Sequence, residues 1–546
     1  MTTPHHYDAI VIGSGQGGGP LAQALAKAGR RTALIEAKHV GGTCVNEGCT
    51  PTKTMVASAR VAHLACRGES YGVQIKKNSL VLKMEKVRQR KRNIVESFRT
   101  GSENRIRATE GLDLIMGTAR FTGPKAVEVV LTSPKKANSS ASDAAETTTE
   151  NQHPQEDHAA STTTLALTGD QIFINAGCSP ATLQAKNVDV VRRIGHANVL
   201  DSTSIMELAE VPRHLVVLGG GAIGCEFAQM MRRFGARVSL VQRASQLLPN
   251  EDPDVAAEML KILVDAGIDV YLGAQTRELS TITLGQIVVQ LELGQNGNHG
   301  GDRNDGHGHG QTGGDGSRDD FNDRAGGIKT LLASHVLVAI GRNPNTEPLN
   351  LQAAGVEVDA RGFIKVDEHL RTTAADVYAL GDIKGGPAQT HVAYDDYRVL
   401  RDNLIPIPIP GTPAATAAAA TGGKQASIAD RLIPYTIFTD PQLGRVGLTE
   451  KAAREQGRRI KVAKMPMKYV ARALEMDETL GFMKAVVDTE SKQILGFACL
   501  GIEGGEIMTM VQLAMLGGLT YDKLENAMFA HPSLSESLNN LWGFLE

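Results

Sequence analysis

The sequence predicts an α/β protein with two Rossmann-like dinucleotide-binding domains, followed by a smaller α+β domain. Three observations carry that expectation. Apolar, β-rich runs alternate with Ala- and Leu-rich helical stretches, the pattern of parallel sheets with crossover helices. A strand, glycine turn and helix occur in succession twice, around Gly13 and around Gly219. From Ile433 onward, "IPYTIFTDPQLGRVG", "GFMKAVVD" and "ILGFACLG" read as strands, with helical patterns at "EIMTMVQLAMLGG" and after "HPSLSESL".

A length of 546 residues accommodates two to four domains. Charged residues make up 21% and the formal net charge is -3, so neither nucleic acid nor an acidic membrane surface is an expected partner. The opening "MTTPHHYDAI" runs straight into a strand and leaves no room for a leader. No apolar run approaches the ~18 residues of a membrane span. A soluble, cytoplasmic protein is expected. In that reducing compartment a permanent structural disulfide is not, whereas a catalytic or metal-binding thiol pair is. Of the six cysteines, Cys66, Cys178, Cys225 and Cys499 read as small buried hydrophobes. Cys44 and Cys49, in "CVNEGC", stand apart as a pair.

The first device is "YDAIVIGSGQGGGPLAQALAKAG". Gly13 permits the tight turn, Gly15 lets backbone approach a pyrophosphate, and Gly18 lets helix pack on strand. The phosphates then meet free N–H groups and the positive end of the helix. "TALIE" closes the next strand with Glu36, about 20 residues on, where a ribose reader belongs. The second device, "HLVVLGGGAIGCEFAQMMRRFG", has Gly219, Gly221 and Gly224. Its following strand ends in Gln242 and Arg243. A missing carboxylate beside an arginine favours the 2'-phosphate of NADPH. If Arg243 is an ordinary surface residue, NADH serves as well. Two such sites imply two dinucleotides, most simply FAD and a nicotinamide that exchange a hydride.

Three stretches poor in large apolar residues interrupt the pattern: 133–164, 294–320 and 408–427. None can bury enough surface to offset its ordering entropy. The first two read as disordered hairpin-loop insertions, the second reaching to 327, and the third as a linker. His299, His307 and His309 read as solvated low complexity, and no resident metal is expected. The domain plan is an FAD-binding part at 1–185, a nicotinamide-binding domain at 186–343, a second FAD-binding part at 344–428, and a last domain at 429–546.

The order of "GGTCVNEGCTPTK", "INAGCSP", "GGGAIGCEFA", "VAIGRNPN", "VYALGD" and "HPSLSESL", from Asp8 to about Leu538, resembles the pyridine nucleotide–disulfide oxidoreductases. That family includes glutathione reductase, dihydrolipoamide dehydrogenase and mercuric reductase. The resemblance implies a redox-active Cys44–Cys49 disulfide, with Cys49 facing the flavin and Cys44 meeting the substrate. It also implies that Lys53 lies near the flavin and pairs with Glu226, and that Thr43, Ala119 and Asp382 contact FAD. Gly341 would approach the nicotinamide dinucleotide. A thiol is a poor nucleophile at an ordinary pKa of about 8.5, so a base is needed. His531 matches the family's catalytic histidine and Glu536 the carboxylate that orients it, both supplied by the other subunit of a homodimer.

The wording around the thiols and at "HPSLSESLNNL" looks most like a mercuric-reductase-like branch, with a disulfide or thiophilic metal ion as acceptor. Two departures bear on the acceptor. Ala222 stands where glutathione reductase has a tyrosine, and no cysteine follows Cys499, where mercuric reductases usually end in a vicinal pair. A dihydrolipoamide dehydrogenase or a glutathione-reductase-type enzyme is the alternative; a non-catalytic flavin-bound sensor or scaffold is the remoter one.

Overall fold

The computed structural model describes residues 4–75, 80–132, 163–186, 198–282, 286–294, 299–300, 327–405 and 425–546. It divides into two compact units. One comprises Met1–Asn46, Ser97–Ser179 and Asn343–Ala429, the other Glu47–Glu96, Pro180–Arg342 and Asp430–Glu546.

In the first unit, β1 (His5–Ile12), α1 (Gly18–Lys27) and β2 (Thr32–Glu36) form the opening crossover. β1 pairs in parallel with β2, and β2 with the first half of β3 (Leu112–Gly123). On its other side β1 pairs in parallel with β5 (Thr164–Ile174), and β5 with Val377–Ala379. β4 (Ala126–Leu131) joins the far halves of β3 and β5 as an antiparallel meander. Side chains alternate across a strand, and the two faces of this sheet bury different cores. Ile10, Ile12, Ile35 and Ile172 enter one; Ala9, Val11, Leu34 and Phe173 enter the other, against Leu21 and Leu25 of α1. Strands apolar on both faces are what a sheet covered on both sides requires.

The second unit repeats the scheme. β6 (His214–Leu218), α5 (Ala222–Phe234) and β7 (Arg237–Gln242) make the crossover, once α3 (Cys49–Cys66) and the Met84–Arg107 helix, α4, are counted ahead of it. Asp269–Leu272, His335–Val338 and Val199–Leu200 are the other parallel strands of this sheet. Leu215 and Val217 face one core and Val216 and Leu218 the other. A five-stranded antiparallel sheet follows, ordered Tyr435–Ile437, Gln442–Gly447, Ile494–Gly501, Phe482–Asp488 and Ile460–Pro466. Helix Gly504–Leu516 packs on it, burying Ile507, Met508 and Val511. The strands and helices expected past Ile433 are therefore present.

The first low-complexity stretch falls between β4 and β5, whose last pair is Val130 with Thr164; residues 133–162 lie outside the described residues. The second falls between the antiparallel strands Gln286–Leu293 and Ile328–Ala333. His307 and His309 lie outside the described residues, but His299–Gly300 adds a short antiparallel strand beside Tyr271 and Val270. Of the third, 406–424 are likewise outside. Its end is tied down, because the Ala426 N–H donates to Asn403 Oδ1 and its carbonyl accepts from Asn403 Nδ2.

One cysteine reading needs correction. Cys178, Cys225 and Cys499 are buried, and burial pushes the Cys225 and Cys499 thiols up to about 12. Cys66 is exposed. It is the final residue of α3, one turn beyond buried Ala62 on the same helix face, so the packing that covers that face does not extend over the last turn.

Candidate active site

The two glycine turns show why the residue type matters. Gly13 has φ of 102°, and a Cβ there would lie 2.3 Å from the Asn175 carbonyl oxygen. One on Gly18 would lie 2.1 Å from the Gly13 oxygen. The turn is held by Asn175, whose Oδ1 accepts from Gly18 N–H at 2.8 Å while its Nδ2 donates to the Leu380 carbonyl at 2.9 Å. Glu36 is buried at the end of β2. Its Oε2 accepts from Ser14 N and Ser14 Oγ at 3.0 and 2.6 Å, and its Oε1 from Lys38 N at 2.8 Å.

In the second turn Gly219 has φ of 112°, and its Cβ would lie 2.3 Å from the Ala339 oxygen. A Cβ on Gly224 would come within 1.8 Å of the Gly219 oxygen. Gly221 differs: its Cβ would meet nothing within 4 Å. Glycine there leaves an open flank at the start of α5, where free N–H groups attract anions. Both turns have the close strand-side packing of a dinucleotide fingerprint, and the second is open at its helix N-terminus. Gln242 turns inward, Oε1 accepting from Gly220 N–H at 3.2 Å, and Arg243 beside it is exposed. Gly341 has φ of 135° with nothing within 4 Å of its Cβ. Ile340 and Ile223 are exposed apolar side chains flanking this turn. Sequence reasoning passed over both, since only exposure distinguishes them from core isoleucines.

Cys44 lies half-buried in α2 (Gly42–Asn46), next to Thr43. Asn46 staples this single turn by donating to the Val40 and Gly42 carbonyls. The boundary between the two units falls at Asn46 and Glu47. Beyond it Cys49 is the first residue of the 18-residue α3, where backbone N–H groups and the helix dipole favour a thiolate.

One turn further on, Lys53 Nζ lies 2.7 Å from Glu226 Oε2, joining α3 to α5 as the resemblance implied. Glu226 is buried, and its Oε1 accepts the Phe438 N–H at 2.8 Å. The Lys53 ammonium also sits 4.9 Å from the centre of the Phe438 ring. At seven-residue spacing, Arg60 on α3 and Arg67 just past its end continue the stripe. Arg60 meets Asp440 Oδ1 at 2.5 Å and Arg67 meets Glu478 Oε1 at 3.0 Å. Asp440 also takes Arg233 at 2.6 Å, and Gln229 binds its backbone at both ends. Burial would raise the Asp440 carboxyl, but Arg233 and Arg60 together hold it below its ordinary value. Burial, aided by Arg233, drives His63 on the same helix down to about 4.

His531 and Glu536 come together: Nδ1 lies 2.9 Å from Oε2 and 3.1 Å from Oε1. An ionised carboxylate only accepts, so Nδ1 carries the hydrogen and Nε2 is left for chemistry. The His531 side chain is 69% exposed. Ala119 is buried on β3. Asp382 lies in the Gly381–Lys384 turn, a turn anchored by the Gly381 N–H donating to the fully buried Asp396 at 2.8 Å. A separate group, His6, Asp8 and Asp170, brings ligand atoms within 4.8 Å of one another. Asp8 there already accepts the Arg31 N–H, and His6 bonds Thr168.

Two strand–glycine turn–helix units in one chain are the arrangement of an oxidoreductase drawing on dinucleotides. Residues 7–396 match the pyridine nucleotide-disulphide oxidoreductase family, and 433–541 match its dimerisation domain. The chain belongs to this family of FAD-dependent enzymes.

The probable pyridine nucleotide-disulfide oxidoreductase RclA of Escherichia coli is 32% identical over 99% of both chains. The dihydrolipoyl dehydrogenase of Thermus scotoductus is 31% identical over 97% of this chain and 96% of its own. The mercuric reductase of Bacillus cereus is 28% identical over 98% of this chain and 70% of its own. Among solved structures, the Cu(II) complex of the HOCl-induced flavoprotein disulfide reductase RclA from Escherichia coli covers 99% of both chains with a TM-score of 0.76.

Proposed function

We propose that this flavoprotein disulfide reductase uses NADPH, and that Cys44 and Cys49 relay its electron pair to a thiophilic metal ion or a disulfide. The observation that carries the reading is Cys49 at the first position of α3, one turn before a lysine paired with a buried glutamate. Bound FAD would supply two-electron transfer between the nicotinamide and the thiol pair. Gly13, Gly15, Gly18, Glu36, Thr43, Lys53, Ala119 and Asp382 are the residues proposed to hold it. For the nicotinamide nucleotide they are Gly219, Gly221, Gly224, Glu226, Arg243 and Gly341, with Ile223 and Ile340 as apolar walls. The turn at Gln242 supports NADPH, because its inward amide leaves no carboxylate to repel a 2'-phosphate while Arg243 stays exposed.

The reduced pair acts through its own sulfurs. With a disulfide substrate, His531 Nε2 takes the Cys44 thiol proton, the Cys44 thiolate attacks one sulfur, and the leaving thiolate takes that proton back from Nε2. Cys49 then attacks Cys44, its own thiol proton passing to the second leaving sulfur, which restores the Cys44–Cys49 bond and releases the second thiol. Glu536 holds the imidazole by Nδ1 throughout. With a soft metal ion, two thiolates are the preferred ligands. The copper complex of the relative and the mercuric reductases among the matches favour that acceptor.

Leu513, Leu516, Leu519 and Met528 expose apolar surface within the segment matching the dimerisation domain. They support a homodimer in which the exposed His531 serves the other subunit. A lipoamide-oxidising role is the second reading, favoured by the dihydrolipoyl dehydrogenase matches.

Steady-state turnover with Cu(II), Hg(II), oxidised glutathione and lipoamide, each with NADPH and NADH, tests the proposal. NADPH should exceed NADH in kcat/KM, with at least one soft metal ion reduced in a Cys44-dependent manner. Preference for NADH and lipoamide would replace this reading with the second.

A further inference from the structure

Phe438 touches both members of the Lys53–Glu226 pair. Its backbone N–H donates to Glu226 Oε1 at 2.8 Å, and its ring lies under the Lys53 ammonium at 4.9 Å. Glu226 spends its other oxygen on Lys53 at 2.7 Å. Glu226 is buried, but Lys53 is one-third exposed, and a four-carbon stem with one polar anchor keeps much of its rotamer freedom. The negative face of an aromatic ring supplies a second anchor that opposes no charge.

The segment carrying Phe438 is itself fixed from α5. Residues 226, 229 and 233, neighbours on one helix face, bind 438 and 440 in order. Glu226 takes the Phe438 N–H; Gln229 takes the Asp440 N–H and donates to its carbonyl; Arg233 takes the Asp440 carboxylate. The α3 side closes the arrangement, with Arg60 on the second Asp440 oxygen. Phe438 therefore cannot drift without breaking contacts to two helices.

We infer that Phe438 is a positioning residue, which fixes the Lys53 ammonium through its ring and the Glu226 carboxylate through its backbone. Because the backbone bond survives any side-chain change, a substitution at 438 isolates the ring's part. The inference rests on the proposed function, in which Lys53 faces the flavin. A leucine or methionine would keep apolar volume but lose the π face, whereas a tyrosine would keep it.

The test uses the purified, FAD-loaded full chain and a double-mutant cycle over Phe438→Leu, Lys53→Met and both together. Phe438→Met is the second probe should the leucine variant lose FAD, and Phe438→Tyr is the conservative rescue. The readouts are the flavin absorption spectrum in the resting enzyme and the rate of flavin reduction by NADPH in a single turnover. Phe438→Leu should shift the spectrum in the direction of Lys53→Met and slow reduction about fivefold. Phe438→Tyr should stay within about twofold of the parent. Phe438→Leu should add nothing in the Lys53→Met background.

Full additivity of the two changes overturns the inference, as does a Phe438→Met enzyme with parental spectrum and rate. A Lys53→Met enzyme unchanged in both readouts overturns instead the placing of Lys53 at the flavin. The two failures are thus distinguishable.

Discussion

The two glycine turns share one backbone plan and are finished differently. In both, the residue ending the second strand reaches back to a turn N–H: Glu36 to Ser14, Gln242 to Gly220. Glu36 brings a buried charge that also takes Ser14 Oγ and Lys38 N. Gln242 brings none, and donates its amide to the Gln246 carbonyl. The first turn is laced by a side chain, Asn175, bonded to Gly18 and Leu380. The corresponding approach in the second is the Ala339 backbone, and the flank at Gly221, Ala222 and Ile223 is open. A laced turn suits a cofactor that stays; an open one suits a nucleotide that must enter and leave each cycle. The charge at the strand end is the difference on which the proposed preference of the second turn for a 2'-phosphate rests.

Substitutions that treat the turns alike sharpen this contrast. The largest effect is expected from Gly18→Ala, whose methyl would overlap the Gly13 carbonyl. It should destabilise by about 3 kcal/mol or more, read as a lowered denaturation midpoint and FAD-free protein. Asn175→Ala removes two buried bonds from the laced turn and should cost about 2–4 kcal/mol, with FAD content falling in parallel. If its FAD content stays at one per chain, the lacing argument fails. Gln242→Glu places a carboxylate in the second turn and should move the NADPH-to-NADH ratio of kcat/KM about tenfold toward NADH, some 1.4 kcal/mol. FAD content should not change. The smallest structural effect belongs to Gly221→Ala, whose methyl meets nothing. Its melting temperature should stay within about 1 °C of the parent, while the KM for the nicotinamide nucleotide rises about tenfold.

What the sequence disclosed divides along the same lines. Strand alternation and glycine turns are local signals, and β1, α1, β2, β6, α5 and β7 fall where their patterns put them. Residues that lace and clamp were not legible, because each is defined by a partner far along the chain. Asn175 serves Gly18 from 157 positions away, and Phe438 serves Glu226 from 212. The Lys53–Glu226 pair, 173 positions apart, was reached through family resemblance and not from any pattern in the residues. Cys66 was misread because composition cannot tell where along a helix face the covering packing ends. The strand at His299–Gly300 was missed because edge pairing needs backbone and asks nothing of a glycine-rich composition.

The central claim is that two sulfurs stand between flavin and acceptor, and anaerobic titration with NADPH reads it directly. One equivalent should raise a long-wavelength absorbance, the signature of a thiolate beside oxidised flavin, and Cys49→Ser should abolish that band. Bleaching of the flavin in the parent protein during that first two-electron step, with no such band, would contradict the account.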